Sequence, residues 1–358
     1  YRAAVGTVLV DSTSGIAVAA SDDGVVHAFA RGLPPTPLYD ASLDDDAKVV
    51  GLAIDRGTAT RTIYVATASG NLHRLALSSG TRIGTPVRLG VPATCLALDA
   101  AGTAFVGTES GVAVVRRTGA VAATATLGAR VIDLAIDTSG SLVYVLTPTA
   151  LYSLAATSLS VICTAGSFGA EATAMALGPQ GIYVGTASGR VIAFSPCTSY
   201  GSLGTAMLKS WSVDLSSSGG SVTSLAAYAE AAADPVYVGL CESGSGRIVG
   251  LSLAGRMLWT TDPDAGIGCI SADLAADRRR GRVTAAETDG TIRAVSDIGE
   301  AILEEDALAG LGKTFRSGAA ADSLLAGTDG TSGVTEIYYM GTSDGSVYVV
   351  AVARGGCP

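Results

Sequence analysis

The chain has 358 residues, of which 48% are hydrophobic and only 15% are charged, and it contains 46 glycines. The apolar content and the modest net charge of −9 exclude a disordered chain, and no apolar run reaches the roughly 18 residues of a membrane-spanning helix. The acidic balance also argues against a nucleic-acid-binding protein.

One pattern recurs eight times: an apolar, β-branched strand, a short turn that ends in glycine, and a second strand of alternating polarity. The first residues of the copies are spaced by 47, 41, 39, 39, 54, 46 and 55 positions, a period typical of four-stranded propeller blades. The glycine supplies the positive φ that such hairpin turns need, and only the fourth copy, with Thr149, lacks it. The copies span residues 16–29, 63–75, 104–116, 143–154, 182–194, 236–251, 282–295 and 337–350.

Each hairpin is flanked by two further strands. Most are preceded by an apolar strand of small residues that ends in an acidic or turn residue, as at 50–55, 94–99 and 132–137. Small residues suit the crowded innermost position of a propeller blade. A variable strand follows the hairpin, as at 120–127 and 210–215. The sequence therefore predicts an all-β protein that is a single eight-bladed β-propeller of four-stranded antiparallel blades, or alternatively a seven-bladed propeller with an irregular extra repeat.

The repeat also sets approximate blade boundaries and raises the question of ring closure. Only six residues, Ala353 to Pro358, follow the third strand of the last blade, so its fourth strand must come from elsewhere. Propellers commonly close by pairing strands from both termini, which removes an exposed edge. Either residues 1–4 complete the last blade, or closure uses upstream residues of the native protein. The predicted blades are 5–41, 47–90, 91–128, 129–165, 168–215, 219–260, 266–303 and 314–352.

The segment IYVGTASGRVIAF at 182–194 is close to the YVGTxSGxVxAL core of the quinoprotein-type (PQQ-like) repeat propellers, and the whole chain resembles that family. The family includes quinone-dependent dehydrogenases, outer-membrane assembly lipoproteins and many secreted proteins, so the resemblance implies a fold and not one activity. Its dehydrogenases carry a tryptophan docking motif in most blades, an adjacent cysteine pair and a calcium site. This chain has only Trp211 and Trp259, no adjacent cysteines and one asparagine, Asn71, so we expect a non-dehydrogenase without a cofactor.

Six cysteines form an even set without a CxxC pair, which argues against zinc ribbons and thioredoxin-like chemistry. We interpret them as two or three disulfides in an oxidising, extracytoplasmic compartment (secreted, periplasmic or cell surface), the alternative being buried free thiols. Cys241 and Cys269 fall on the same face of adjacent blades, and Cys163 and Cys197 also fall in neighbouring blades. We predict a disulfide within each of these pairs.

The other two cysteines and the chain start carry weaker information. Cys95 falls near the axis and Cys357 near the end of the chain, so geometry disfavours their pairing. Cys357 is a candidate for a bridge to another chain. The sequence starts at Tyr1 without an initiator methionine or a leader pattern, and we interpret it as a mature or excised segment.

Acidic turn residues are the first candidate site. All hairpin turns of a propeller lie on one face, and here they gather six carboxylates with no lysine or arginine in the same turns. Such a rim would steer a basic peptide or a cation. The alternative is turn chemistry alone, since tight turns favour Asp and Ser before Gly. The six residues are Asp22, Asp23, Glu109, Glu242, Asp289 and Asp344.

Histidines and arginines are the remaining candidates. His27 and His73 lie three residues after the turn glycine in the first two blades, where they would form a paired ligand site or, as we favour, serve as structural aromatic residues. The opposite face collects basic residues, which would dock an acidic partner or remain solvated. The acidic segments 44–46 and 262–266 lack the ligand spacing of an EF-hand loop. The basic residues are Arg56, Arg61, Arg278, Arg279, Arg280 and Arg282.

No catalytic motif interrupts the repeats. We therefore predict a non-enzymatic, extracytoplasmic propeller that acts as a protein-binding or assembly scaffold, without nucleic acid or a membrane span. One alternative is a structural subunit of a surface filament or large complex, built by homo- or hetero-assembly. Another is an enzyme or ligand binder of the lyase or glycan-hydrolase type that uses the axial funnel, with Asp133 and Glu109 as paired carboxylates.

Overall fold

The computed structural model describes most of the chain, and the regular structure in the described residues consists of β-strands. Within them, no helix is long and apolar enough to cross a membrane. The described residues are 4–11, 13–30, 35–45, 47–57, 60–178, 180–199, 205–216, 219–227, 235–261, 269, 274–277, 282–286, 291–296, 298–299, 301–306, 320–322, 334–342, 344 and 346–353.

The strands form eight blades, and the first four blades each have four antiparallel strands. Blade 1 contains β1 (Val5–Asp11), β2 (Ile16–Ser21), β3 (Val25–Ala30) and β4 (Thr36–Ser42). Blade 2 contains β5 (Val49–Asp55), β6 (Thr62–Thr67), β7 (Asn71–Ala76) and β8 (Val87–Arg88). Blade 3 contains β9 (Ala93–Leu98), β10 (Ala104–Thr108), β11 (Gly111–Val115) and β12 (Val121–Thr126). Blade 4 contains β13 (Asp133–Ile136), β14 (Leu142–Leu146), β15 (Ala150–Ala155) and β16 (Val161–Gly166).

The second half repeats this plan, with a small hairpin inserted in blade 5 and three described strands in blade 8. Blade 5 contains β17 (Ala172–Gly178), β18 (Gly181–Thr186), β19 (Arg190–Phe194), the inserted β20 (Thr198–Ser199) and β21 (Thr205–Ala206), and β22 (Lys209–Asp214). Blade 6 contains β23 (Ser221–Ala227), β24 (Val236–Glu242), β25 (Ser245–Leu251) and β26 (Met257–Thr260). Blade 7 contains β27 (Ala275–Asp277), β28 (Arg282–Ala286), β29 (Thr291–Ser296) and β30 (Ala301–Asp306), and blade 8 contains β31 (Ala320–Asp322), β32 (Val334–Gly341) and β33 (Val347–Ala353).

The blades follow one another around a ring. In blades 1 to 6, the first strand of each blade contacts the first strand of the next blade, and β1 contacts β31 and β32 of blade 8. The backbone N–H of Val5 donates to the carbonyl of Thr342 at 3.0 Å, which ties the first blade to the last. The predicted all-β, eight-bladed propeller is confirmed, and each predicted hairpin pairs as the second and third strands of its blade.

Small residues on the second strand let neighbouring blades approach each other. A Cβ on Gly185 of β18 would collide with the side chain of Val222 in blade 6, and a Cβ on Gly107 of β10 would lie 2.8 Å from Cγ1 of Val131 at the start of blade 4. The glycine in the YVGT pattern is therefore a packing requirement. It allows buried residues of two blades to form one core, as Val191, Val222 and Val238 do.

Aromatic side chains on the fourth strand join the blades farther from the axis. Trp211 of β22 lies 5.8 Å from the ring of Tyr183 and covers Gly255 of blade 6, where a Cβ would lie 2.6 Å from the indole. Its Nε1 donates to the carbonyl of Leu253 at 2.7 Å. Gly255 has φ +77°, so both space and conformation require glycine. Two further junctions use the same arrangement, Trp259 over Gly299 and Tyr39 over Gly80.

A disulfide takes the place of the aromatic side chain between blades 4 and 5. Cys163 of β16 pairs with Ser153 in the sheet register, just as Trp211 pairs with Ala193 in blade 5. It is bonded to Cys197, with a Cα–Cα distance of 6.0 Å. The second disulfide joins blade 6 to the residues before blade 7. It links Cys241 to Cys269 with a Cα–Cα distance of 4.9 Å.

These two disulfides are the pairs that the sequence predicts. Cys95 is a free cysteine on the first strand of blade 3, and Cys357 lies outside the described residues. Burial raises the pKa of the Cys95 thiol to about 12, so it remains protonated at neutral pH.

Replacing Trp211 tests the aromatic junction. We expect Trp211→Ala to lower the free energy of unfolding by about 3 kcal/mol, because the ring and its hydrogen bond are both lost. Trp211→Phe keeps a ring and loses the donor, so about 1 kcal/mol is expected. Ser212→Ala, at an exposed position of the same strand, serves as the control with less than about 0.5 kcal/mol. Denaturant titration measures all three, and an alanine variant as stable as the control would contradict the assignment.

Removing the Cys163–Cys197 disulfide should destabilise the ring. The two residues are 34 positions apart, and a cross-link over a loop of this size contributes about 4 kcal/mol. We therefore expect the double variant Cys163→Ala and Cys197→Ala to unfold at lower denaturant concentration. Cys95→Ala, which removes a buried sulfur but no cross-link, is the control with about 1 kcal/mol. Equal losses in the two proteins, or a peptide map without the linked pair, would disprove the role.

Candidate functional site

The predicted acidic rim lies on the hairpin face, which we define as the face formed by the turns between second and third strands and by the links between blades. Three of its carboxylates have a basic partner, although their own turns contain none. Two of the cations come from the links and one from a third strand. The pairs are Asp22 with Lys48 at 3.4 Å, Glu109 with Arg130 at 3.4 Å, and Glu242 with Arg247 at 3.2 Å.

Two other rim carboxylates, Asp23 and Asp344, make contacts within their own turns. Asp23 accepts a hydrogen bond from the hydroxyl of Ser21, and Asp344 accepts one from Oγ1 of Thr342 at 2.5 Å. Asp289 lies outside the described residues. Partner binding by the rim stays a prediction, and the structure adds that basic side chains from outside the turns offset part of its charge.

The two histidines are buried and bonded to carboxylates. Nδ1 of His27 lies 2.7 Å from Oδ1 of Asp40, and Nε2 of His73 lies 3.1 Å from Oδ2 of Asp45. Asp45 also accepts hydrogen bonds from Asn71 and two hydroxyls of the same turn. His27 thus ties the third strand of blade 1 to the outer strand of that blade, and His73 ties the third strand of blade 2 to the link that precedes this blade. No group of three metal-binding side chains occurs among the residues that the structure describes.

The basic residues of the opposite face are partly engaged. Arg56 and Arg61 both bind the carboxylate of Asp11, whereas residues 278–280 and the side chain of Arg282 lie outside the described part. Of the proposed pair of funnel carboxylates, Glu109 has Arg130 as a partner, and Asp133 accepts a hydrogen bond from the N–H of Leu134 at 2.8 Å.

An aspartate ends the first-strand segment in each of the first four blades, at the face opposite the hairpin face. Each carboxylate closes its own turn to the second strand by accepting a backbone N–H. This explains why the residue recurs in the sequence. The four are Asp11, which accepts from Ser14 at 3.1 Å, Asp55 from Gly57 at 2.8 Å, Asp99 from Thr103 at 2.7 Å, and Asp137 from Leu142 at 2.8 Å.

Arginines of the following blade neutralise the first two aspartates. The fully buried carboxylate of Asp11 binds Arg56 at 3.1 Å as well as Arg61, and that of Asp55 binds Arg117 of blade 3 at 2.6 and 2.8 Å. Burial by itself would raise the pKa of Asp11, but hydrogen bonds from Ser14 and Arg61 outweigh it and hold this pKa below its usual value of 3.8. Asp99 and Asp137 have no ion pair within the described part of the chain.

A row of cavities runs across this face along the same turns. The first, of about 440 Å³, is lined by residues 54–57 and 98–100, and the next, of about 350 Å³, by residues 98–101 and 136–140. A third, of about 340 Å³, continues from Asp137 to Tyr144, Leu177 and Pro196. Because neighbouring cavities share lining residues, they form one continuous depression over blades 2 to 5, which we call the groove.

The groove combines charge with an apolar end. Hydrogen bonds from Ser139 and the N–H of Leu142 outweigh the effect of burial and hold the pKa of Asp137 below 3.8, so this carboxylate is ionised at neutral pH. The third cavity is lined mainly by apolar side chains such as Tyr144, Leu177 and Pro196. The surface therefore suits a ligand with cationic and apolar groups. Sequence analysis found the recurring acidic residues but not the cavities, which arise only when four turns are brought side by side.

The fold places the protein in the class of eight-bladed β-propellers. Among solved structures, Saccharomyces cerevisiae Sqt1 is similar with a TM-score of 0.80 and 11% identity, over 99% of this chain and 97% of that chain. Chaetomium thermophilum Sqt1 bound to the N-terminus of ribosomal protein L10 has a TM-score of 0.71 at 13% identity, over 98% of both chains. Moraxella catarrhalis BamB has a TM-score of 0.62 at 16% identity, over 99% of this chain and 98% of that one. Protein-family models and curated protein sequences gave no match.

Replacing Asp11 should expose the pH dependence of the blade junction. Because the pKa of Asp11 is depressed in the folded state, its stabilising effect is present above the unfolded value and is lost as the pH falls through the folded value. We expect Asp11→Asn to cost about 2 kcal/mol at pH 7, with the difference from the native protein shrinking towards pH 3.

Denaturant titrations between pH 7 and pH 3 would measure this difference. Asp214→Asn removes one partner of an exposed pair with Arg190 and serves as the control, with a cost below about 0.5 kcal/mol. A cost for Asp11→Asn that stays constant with pH would contradict the electrostatic role.

Proposed function

We propose that this protein is a non-enzymatic platform that holds a segment of a partner protein in the groove. The continuous depression over four blades carries the proposal, because it follows the turns of neighbouring blades and so offers successive contacts to an extended polypeptide. Its two carboxylates without an ion pair in the described residues, Asp99 and Asp137, supply polar anchor points. Its apolar end supplies a place for a hydrophobic side chain.

The structural neighbours support a protein-binding role. One of them, Chaetomium thermophilum Sqt1, is bound to the N-terminus of ribosomal protein L10, so a propeller of similar fold holds a polypeptide segment. The repeat pattern resembles the quinoprotein-type propellers, which include outer-membrane assembly lipoproteins, and the fold is similar to that of BamB. We propose membership of that repeat family on these two grounds.

An extracytoplasmic location forms part of the proposal. Two cysteine pairs lie at disulfide distance, and both join neighbouring parts of the ring. Disulfides of this kind persist mainly in oxidising compartments. A secreted, periplasmic or cell-surface protein fits this chemistry.

We further propose that the platform has no enzymatic activity. Both histidines are buried and bonded to carboxylates, and Glu109 is paired with Arg130. None of these candidate acid–base groups lines the groove. The groove is therefore supported as a binding surface and not as a reaction site.

A structural subunit of a larger assembly is the second candidate, and the outer strands favour it. β12 and β16 lie at the outer edges of their sheets and contain no charged residue. Val121, Val161 and Ile162 on them are 46%, 51% and 38% exposed. Edge strands without charged residues are able to pair with strands of another chain.

A photo-crosslinking residue placed in the groove tests the proposed function. We expect benzoylphenylalanine in place of Thr138 to cross-link a partner protein in native cells, because Thr138 lines two of the cavities. The same group in place of Ser188, exposed on the hairpin face, is the control and should give at least fivefold less of that product. The partner is then purified and its affinity measured with both purified proteins. Equal cross-linking from both faces, or no binding by the purified partner, would disprove the groove as the binding site.

A further inference from the structure

The aspartates that end the first-strand segments meet different neighbours at successive blade junctions. At the junction of blades 2 and 3, Arg117 follows β11 and reaches back to Asp55, whose carboxylate is 2% exposed. Nη2 of Arg117 donates a hydrogen bond to Oδ1 of Asp55 at 2.8 Å, and Nε lies 2.6 Å from Oδ2 as an ion-pair contact. In this pair, a guanidinium group from the next blade occupies the space beside the aspartate.

The blades align residue by residue through a threonine at the end of the second strand. The hydroxyls of Thr108 and Thr147 donate to the carbonyls of Gly111 and Ala150, both at 2.9 Å, so Gly111 and Ala150 occupy equivalent positions. Arg117 is six residues after Gly111, and Ala156 is six residues after Ala150. Ala156 of blade 4 is therefore the counterpart of Arg117.

Blade 5 aligns in the same way. The hydroxyl of Thr186 donates to the carbonyl of Arg190 at 3.2 Å, so Arg190 is the equivalent of Gly111. Pro196 is six residues after Arg190. Blades 4 and 5 therefore carry an alanine and a proline where blade 3 carries Arg117.

The missing side chains leave space beside the two aspartates. Ala156 and Asp99 line the same cavity, of about 180 Å³, and Pro196 and Asp137 line the cavity of about 340 Å³. We call the first the Asp99 socket and the second the Asp137 socket. Arg116 also lines the Asp99 socket, but it forms no ion pair with Asp99. The Asp137 socket is the apolar end of the groove, and the Asp99 socket adjoins the groove because it shares Asp99 and Gly140 with the second cavity.

The carboxylates retain capacity for a further donor. Each carboxylate has about four acceptor sites, and the described hydrogen bonds of Asp99 use one of them, the N–H of Thr103. Those of Asp137 come from the N–H of Leu142 and from the hydroxyls of Ser139 and Ser141. At Asp99 a guanidinium group would satisfy the remaining sites with paired hydrogen bonds, which an ammonium group does less well. At Asp137 about one site remains, so a guanidinium group would form an ion pair with a single hydrogen bond there.

We infer that the partner supplies the two arginines that blades 4 and 5 lack, placing one in the Asp99 socket and one in the Asp137 socket. The inference rests on the proposed function and names the chemistry of the segment that binds. The ligand is an extended polypeptide segment with two arginine side chains and a path along the groove. The Arg117–Asp55 pair is the example within this chain of the arginine–aspartate contact that we infer for the partner.

Binding of synthetic peptides to the whole chain tests this inference. The probes are capped Gly/Ser peptides with two arginines separated by one to six residues, and the same peptides with neutral citrulline in place of arginine. We expect at least one arginine spacing to bind at least tenfold more tightly than its citrulline counterpart in fluorescence anisotropy. The difference should decrease with salt.

Two variants locate the bound arginine. Asp99→Asn should weaken binding of that peptide about tenfold, because one charged partner is lost. Ala156→Arg should weaken it similarly, because the chain's own arginine then fills the Asp99 socket as Arg117 does at Asp55. Glu171→Gln, the same change of charge at an exposed site on the hairpin face, should leave the affinity unchanged. Asp99→Asn carries the test by itself if Ala156→Arg does not fold.

The results separate this inference from the proposed function. Arginine peptides that bind no better than citrulline peptides, or an affinity unaffected by Asp99→Asn, would overturn the arginine sockets. If the cross-linked native partner nevertheless binds through Thr138, the platform function stands and only its chemistry is wrong. If Glu171→Gln weakens binding as much as Asp99→Asn, general charge attraction replaces the sockets as the explanation.

Discussion

The close approach of neighbouring blades is the constraint on which the rest of this structure depends. A blade alone leaves the faces of its sheet uncovered, so it is stable only when side chains of the next blade pack against them. Gly107 and Gly185 permit that contact near the axis because no Cβ intervenes. Farther out, Trp211 covers Gly255, and the Cys163–Cys197 disulfide holds the equivalent position at another junction. Among the described residues, side chains of one blade thus complete the core of its neighbour.

The same geometry creates the surface that we propose as functional. An aspartate closes the turn after the first strand in several blades, since its carboxylate accepts a backbone N–H there. Assembly of the ring brings each aspartate to the edge of the next blade. Where that blade offers Arg117, the carboxylate becomes part of a closed junction. Where it offers Ala156 or Pro196, a cavity remains. A structural residue thus becomes a candidate ligand-binding residue through a change in its neighbour.

Sequence patterns predicted the strands well because the local signals agree. Alternating β-branched residues define the hairpins, and glycines such as Gly70 and Gly189, with φ of +83° and +74°, define their turns. The pairing of Cys163 with Cys197 also followed from placing each cysteine in its blade. The sequence also contains glycines after the third strands, such as Gly255. The reason for glycine there is visible only in the structure, where the indole of Trp211 covers Gly255.

The sequence by itself determined the fold class and predicted eight blades and the two disulfides, because each depends on the periodic position of residues within one repeat. The tertiary structure decided which carboxylates form ion pairs with basic side chains and which do not. Lys48 and Arg130 come from links between blades and neutralise carboxylates of the hairpin face that seemed unpaired in their own turns. The groove remains open because no arginine of the next blade fills the space beside Asp99 and Asp137. Ion pairs and cavities between blades depend on residues far apart in the chain, such as Asp55 and Arg117, and no local pattern records which of them meet.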